Sequence, residues 1–544
     1  MTVAELLVKC LEEEGVHYIF GVPGEENLAF MDALLESDIE FIVTRHETGA
    51  AFMAGMIGRL TGRPGVCLST LGPGATNMLT GVADANMDRS PLVAITAQAS
   101  MNRQHKESHQ TYNLVGLYRP VTKWNASIRA KEITAEVVRK AFNVATSEKP
   151  GATHIELPED VASMEIDGSP LDPSYELPNL IVARDETIDK AAKLINEANR
   201  PLILCGNGVT RDLADKEIQA FAEKTQTPVT ETFMGKGAMP WKNPLCLMTA
   251  GVPGRDYIDC AFEYADLIIT IGFDMAEYPP MKWNKEERPI LHIDSLEAET
   301  DMHYPVRLNV VGDVSENLRR ITEKVGKRRK IDPYYAKLRE RMEEDVHQHD
   351  QDESFPVKPQ RIISDLQAVL SKEDIVLSDV GAHKVWMGRM YHADEPNTCL
   401  ISNGLASMGY ALPGAIAAKI VNPDRKVVAV VGDGALQMTG MELETAVRLQ
   451  LPIVILLWRD SGYGLIEWKQ EAEYGRPSNI KFGNPDFIAW AKSYGAEAFR
   501  VEKTKDLVPF LEKAVKLKGP VLIDCPVDYE ENLKLTESMK AMKC

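Results

Sequence analysis

Short apolar runs rich in Val and Ile alternate with longer amphipathic stretches along nearly the whole chain. IEFIVT, GVCLST and PLVAITA come early, PLILCG and DLIITIG midway, KVVAVVGDG and PIVILLW late. These runs lack the polar alternation of a strand with one wet face. They predict strands buried on both sides, in parallel sheets covered by helices. Two polar stretches break the pattern, DGSPLDPSYELPN near residues 165–185 and KRRKIDPYY with HQHDQDESFPVKP near 327–358. Their charge runs read as solvated linker surface. Cutting there gives an α/β chain of three doubly wound parallel-sheet domains, at residues 1–165, 186–328 and 358–530. Residues 531–544, with KLTESMKAMKC, read as a loose or docking tail. No close repeat joins the blocks, although the first and third could share a fold without one.

Composition narrows the function more than the fold. A chain of 544 residues is too long for one core. A net charge of −19 argues against nucleic acid or an anionic membrane as the main partner, since both call for a basic face. It leaves room for a bound polyanion held by a metal and by backbone N–H groups. The eight cysteines are scattered without a C-x-x-C pair, which predicts isolated buried thiols in a reducing compartment. The first residues, MTVAELLVKCLEEEGVHYIF, carry acids throughout, repeat their apolar positions at helical spacing and do not read as a signal peptide. No run approaches the ~20 apolar residues of a membrane span. The expected location is the cytoplasm.

The strongest local signal is KVVAVVGDGALQMTGMELETAVRLQLPIVILLWRDSGYG. It predicts a buried strand running into Gly432-Asp433-Gly434, then a helix around Met441–Leu449. A second buried strand, Pro452–Trp458, ends at Asp460-Ser461-Gly462. In such a βαβ unit both aspartates reach the carboxyl edge of neighbouring parallel strands, where open α/β sheets bind ligands. Two carboxylates converging there repel each other unless a cation lies between them. Hard oxygen ligands suit Mg²⁺, which keeps part of its octahedron for phosphate oxygens. Taken alone, Gly-Asp-Gly could equally be a tight turn, with Asp460 as a cap.

This stretch resembles the Mg²⁺–diphosphate motif of thiamine-diphosphate (ThDP) enzymes, a Gly-Asp-Gly followed later by an Asn or Asp. The resemblance implies Asp433, Asp460 and the backbone carbonyl of Gly462 as metal ligands, with Gly432, Gly434, His383 and Tyr463 at the cofactor. ISNGLASMGYALPG matches the same family, and its Met408 corresponds to the side chain that bends the cofactor into a V. In isolation such a Met is core filler. GVPGEENLAF and LGPGATNMLTG add Gly24, Pro73 and Asn77 near the cofactor. The three blocks would be pyrimidine-binding, central nucleotide-binding-like and diphosphate-binding domains.

The strand IEFIVT leads into Arg45-His46-Glu47 and a helix of small residues, AAFMAGMIGRL. A glutamate at such a junction is often a helix cap or dipole partner. The segment also resembles the family's catalytic-glutamate motif. By that resemblance Glu47 shares a proton with the pyrimidine ring nitrogen, and the exocyclic amine then removes the thiazolium C2 proton. The carbanion attacks a ketone, with the cofactor as electron sink. Family members reach cofactor bound mainly to another subunit, which implies a homodimer or homotetramer with active sites at the subunit interface.

The resemblance covers nearly the whole chain and is best with acetolactate synthase, in its catabolic, flavin-independent form. His109-Gln110 within KESHQTYNLVGLYRPVTKW matches the catabolic His-Gln pair, and these residues would orient the keto acid or shuttle a proton. IGFDMAEYPPMKWNKEERPILHID resembles the catabolic middle domain, and Asp460 stands where other members have Asn. Gly206-Asn207-Gly208 lacks the third glycine of a dinucleotide fingerprint. No FAD is expected.

Lys469 departs from the catabolic pattern, which has a glutamine there facing the acceptor; the biosynthetic pattern has a tryptophan at that position, and Trp468 lies one position early. Lys469 could bind a second carboxylate, or be solvated while Trp468 shapes the pocket. Ser461 also replaces a usual asparagine. The implied reaction converts two pyruvates to 2-acetolactate and CO₂. The alternatives are a non-oxidative 2-keto acid decarboxylase or related carboligase with a different acceptor, a flavin-dependent oxidase on the same scaffold, and a non-catalytic protein that kept the fold.

Overall fold

The structure is a computed structural model and describes residues 1–172, 181–252, 254–328, 330–541 and 544. The Val/Ile runs form strands because β-branched side chains fit a pleated surface packed on both sides. The first sheet contains β1 (Tyr18–Gly21), β2 (Glu40–Val43), β3 (Gly65–Ser69), β4 (Leu92–Gln98), β5 (Trp124–Ser127) and β6 (Ala152–Pro158). The second contains β7 (Pro201–Cys205), β8 (Val229–Glu231), β9 (Leu267–Ile271), β10 (Ile290–Asp294) and β11 (Val306–Val311). The third contains β12 (Ile375–Ser378), β13 (Cys399–Ile401), β14 (Val427–Gly432), β15 (Ile453–Arg459), β16 (Glu497–Arg500) and β17 (Val521–Pro526). Every strand pair in the three sheets is parallel.

The strand orders are β2-β1-β3-β4-β6-β5, β11-β10-β9-β7-β8 and β13-β12-β14-β15-β17-β16. Counted from the first strand of each, the first and third sheets have the same order, so the outer blocks share a topology without a visible sequence repeat. In each the order reverses beside the first strand. The crevice lies between β1 and β3 in one sheet and between β12 and β14 in the other, and loops at such switch points form ligand sites.

The chain divides into two compact units. One combines Met1–Pro178 with Gly404–Pro423 and Gln437–Leu451, and the other combines Asn179–Asn403, Asp424–Leu436 and Pro452–Cys544. In the first unit, helix Glu47–Thr61 packs on helix Pro73–Met87 through small residues: a Cβ on Gly81 would lie 2.5 Å from the Ala51 Cβ. Small residues let two backbones approach closely, which fixes the start of the first helix relative to the second.

Three sequence expectations change, and that for the tail narrows to docking. IEFIVT does not give a strand buried on both faces: β2 is an edge strand, and only Ile42 of its four residues is buried. Much of the second expected linker is helix, Pro333–His347, which buries Tyr335, Leu338, Met342 and Val346. Those apolar positions recur at helical spacing, but the charges between them hide the pattern. Residues 173–180 of the first expected linker lie outside the described residues. The tail is mostly a helix, Glu531–Ala541, that buries Leu535 and Met539. Cys544 is bonded to Cys260 across a sequence separation of 284, so the cysteines are not all isolated thiols. Spacing rules read only local pairs, and folding brings these two together. The other six are buried and outside any disulfide.

Candidate active site

In the first unit, β2 delivers the chain to His46, which caps the following helix by accepting the Thr48 N–H at its Nδ1, 3.2 Å away. The cap is therefore His46, and Glu47 is the first helical residue. Its side chain is buried, with 8% exposed, and its Oε2 accepts the side-chain amide of Asn77 at 3.0 Å. Asn77 lies on helix Pro73–Met87, whose backbone also accepts the Thr48 hydroxyl at Asn77 O, 2.5 Å. A Cβ on Gly74 would come within 3.2 Å of Glu47 Oε1, so the start of this helix lies against the carboxylate.

The turn before Glu47 has a partner no motif pointed to. Glu442 is fully buried, and its Oε1 accepts the backbone N–H groups of Arg45 at 3.0 Å and His46 at 3.1 Å. Burial pushes its carboxyl up to about 7. Gly24 lies against Thr70 and donates its N–H to Asn27 Oδ1 at 2.9 Å. Gln110 packs on the Gly72–Pro73 turn, 2.8 Å from where a Gly72 Cβ would stand, and both His109 and Gln110 are exposed. Met408 is half-buried and belongs to the same unit.

In the second unit, β14 ends at Gly432 and β15 at Arg459, and the two are paired neighbours. Asp433 and Asp460 therefore project from adjacent strand ends. Asp433 is 1% exposed. Its Oδ1 accepts the Gly434 N–H at 2.9 Å, and its Oδ2 accepts the Ser461 N–H and the Asn484 amide, each at 2.7 Å. Burial, and then the neighbouring Asp433 carboxylate, push the Asp460 carboxyl up to about 8.

From the other side of the switch point comes His383, 3% exposed. Burial lowers its imidazole to about 3, so it is neutral. Its Cε1 lies 3.0 Å from where a Gly432 Cβ would stand, and the Tyr463 ring lies 3.0 Å from the equivalent point on Gly434. Side chains at either glycine would displace these rings. Gly462 pairs with Lys481 in an antiparallel bridge.

The donor set fits a divalent cation. Asp460 Oδ2, Asn484 Oδ1 and His383 Nε2 are buried polar atoms without hydrogen-bond partners, and two carboxylates press together at a strand edge. A hard cation would discharge that repulsion. Among the described residues no three His, Cys, Asp or Glu side chains converge as a metal cluster. A site of two carboxylates and a main-chain carbonyl needs further oxygens from the ligand it carries.

Comparison with known proteins gives these two half-sites a family. Three family models match in order: the N-terminal TPP binding domain of thiamine pyrophosphate enzymes over residues 1–117, the central domain over 188–321 and the C-terminal TPP binding domain over 379–525. The chain is 36% identical to an acetolactate synthase of Bacillus subtilis over 98% of its own length and 94% of the relative's. The chain belongs to the acetolactate synthase family of thiamine-diphosphate enzymes. It is also 35% identical to a catabolic acetolactate synthase of Raoultella terrigena, over 97% of this chain and 95% of that one. A probable acetolactate synthase large subunit of Methanocaldococcus jannaschii is 36% identical over 98% and 93%.

Within this ThDP enzyme, the middle domain's own switch point, between β7 and β9, is filled from inside. Glu277 is 5% exposed, and its Oε1 accepts the N–H groups of Asn207 at 2.9 Å and Asp274 at 3.1 Å. Its Oε2 accepts the Thr232 hydroxyl at 2.5 Å. An internal carboxylate thus sits on the Gly206-Asn207-Gly208 turn, where a dinucleotide fold would hold phosphate. Lys469 is exposed on helix Gly464–Tyr474. Trp468 is 6% exposed, belongs to the core of this unit and donates its Nε1–H to Thr536 Oγ1 at 2.7 Å, tying the tail helix down. Among the described residues no helix is long and apolar enough to cross a membrane.

Proposed function

We propose that this protein decarboxylates one pyruvate and joins the two-carbon fragment to a second, giving 2-acetolactate and CO₂, with ThDP and Mg²⁺ as cofactors. One observation carries the reading. The chain combines a buried Glu47 held by Asn77 with a close Asp433–Asp460 pair at a switch point, and it resembles an acetolactate synthase over 98% of its length. When bound, ThDP supplies the nucleophilic carbon and the electron sink that decarboxylation calls for.

The chain's residues do the rest. Asp433, Asp460 and the Gly462 carbonyl would hold Mg²⁺, which would anchor the cofactor's diphosphate. Glu47 would hold and move a proton at the cofactor's pyrimidine ring nitrogen. Gly24, Pro73, Asn77, His383, Met408 and Tyr463 line the cofactor. His109 and Gln110, exposed beside the Pro73 turn, orient the keto acid, and Lys469 bears on the acceptor. The domains are residues 1–165, 186–328 and 358–530, and the enzyme is a cytoplasmic homo-oligomer in which the Glu47 half of one subunit serves the Asp433 half of another. The Glu277 carboxylate on the middle-domain turn supports a flavin-free enzyme.

The test is product identification with pyruvate and with 2-ketobutyrate, in the presence of ThDP and Mg²⁺. Acetolactate, read as acetoin after acid treatment, supports the proposal. Acetaldehyde alone would replace it with a decarboxylase, and a purified protein absorbing at 450 nm would point to a flavin-dependent oxidase.

A further inference from the structure

The loop that carries Asp460 is held by a second segment. Tyr463 N–H donates to Ile480 O at 3.0 Å, Phe482 N–H donates to Ser461 O at 3.3 Å, and Gly462 bridges Lys481. Residues 461–463 and 480–482 thus run antiparallel as a short clip. Two residues beyond it, the Asn484 side-chain amide donates to Asp433 Oδ2 at 2.7 Å and to Ser461 Oγ at 3.2 Å. Ser461 has φ 57°, a left-handed conformation that side-chain-bearing residues adopt only when their surroundings impose it. Two donors meet on one carboxylate oxygen, Asp433 Oδ2: the Ser461 N–H and the Asn484 amide.

We propose that Asn484 is a positioning residue of the cation site, clamping the Asp433 carboxylate to the Ser461 turn so that Asp433 and Asp460 keep the spacing a divalent cation needs. Asp433 is the side chain Asn484 touches, and the Asp460 main chain leads directly into the Ser461 turn it also touches. One small amide therefore spans both ligand-bearing loops. The remaining atom of that amide, Oδ1, is buried without a hydrogen-bond partner, so the side chain's two hydrogen bonds are those to Asp433 and Ser461. Removing a group that orients a metal ligand costs about 10–100-fold in metal affinity.

This inference rests on the proposed Asp433–Asp460 site, and the experiment separates the two. Mn²⁺ is the probe, titrated into the full chain with ThDP and read by electron paramagnetic resonance as free against bound ion. Asn484→Ala, with Asn484→Ser as a second variant, is expected to raise the Mn²⁺ dissociation constant about 10–100-fold while the metal-free melting temperature stays at the wild-type value. Wild-type Mn²⁺ affinity in both variants overturns the proposal. So does an affinity loss matched by a lower metal-free melting temperature, which marks a merely structural residue. Asp433→Asn is measured alongside. If it too binds Mn²⁺ normally, the cation-site reading has failed. If it loses Mn²⁺ while the Asn484 variants do not, only the clamp has failed.

Discussion

Asn77 donates its side-chain amide to Oε2 of Glu47 across 3.0 Å, joining two helices that begin 26 residues apart, at Glu47 and Pro73. The bond leaves Glu47 one well-defined orientation in a buried setting. Loss of the carboxyl proton carrier in Glu47→Gln is expected to lower turnover at least roughly 100-fold. Asn77→Ala keeps the carboxyl but frees it, and roughly 10-fold is expected, since misplacement of a reacting group weakens catalysis. Steady-state kinetics with pyruvate checks both, and wild-type turnover in Glu47→Gln would refute its role.

Removing a carboxylate from the Asp433–Asp460 pair tests the cation directly. Asp460→Ala, or dialysis of the wild type against a chelator, is expected to abolish saturable ThDP binding at micromolar cofactor. Excess Mg²⁺ should restore the dialysed wild type and not the variant. Fluorescence titration with ThDP reads the result. Undiminished binding without divalent metal would show that the aspartates do another job.

The middle-domain carboxylate gives a pH signature. Burial raises Glu277 from its usual carboxyl value to about 7. The folded state therefore holds its proton more tightly than the unfolded chain does. The stability this contributes is full below the unfolded value, near 4.5, and is lost as pH rises through 7. Glu277→Gln keeps an oxygen for the Asn207 and Asp274 N–H groups and offers an N–H to the Thr232 hydroxyl. It is expected to equal wild type at pH 4.5 and to exceed it at pH 8 by about 1–3 kcal/mol. Denaturant melts at the two pH values decide it, and a variant less stable at pH 8 would contradict the account.

The bond between Cys260 and Cys544 predicts a thiol count. Unfolded without reductant, the protein should titrate six thiols, the number outside the disulfide. With reductant it should titrate eight. Cys544→Ser, which removes the cross-link at the chain end, is expected to lower stability by about 1–3 kcal/mol. Eight thiols before reduction would show that the bond is absent.

How far the sequence reached follows from the length scale of each signal. The β14 and β15 strands, the aspartates at their ends and the pairing of those strands are local or nearly so, and VVAVVGDG and IVILLW announce them. The same periodicity misled at β2, because an edge strand can be as apolar as a central one while one side stays open. Glu442 is separated by 397 residues from the Arg45 N–H it accepts, and Asn484 by 51 from Asp433. No spacing rule links such pairs. His46 as the cap of the Glu47 helix was within reach of cap logic. The sequence alone does not single it out, because His is not among the residues that logic favours.

The reaction itself is tested most directly by stoichiometry. Protein freed of ThDP and metal is mixed with pyruvate labelled with ¹³C, alone and then with ThDP and Mg²⁺, and followed by NMR. The account predicts no turnover without both additions. With them it predicts one CO₂ and one acetolactate for every two pyruvates consumed. One CO₂ and one acetaldehyde per pyruvate, or turnover without cofactor, would contradict it.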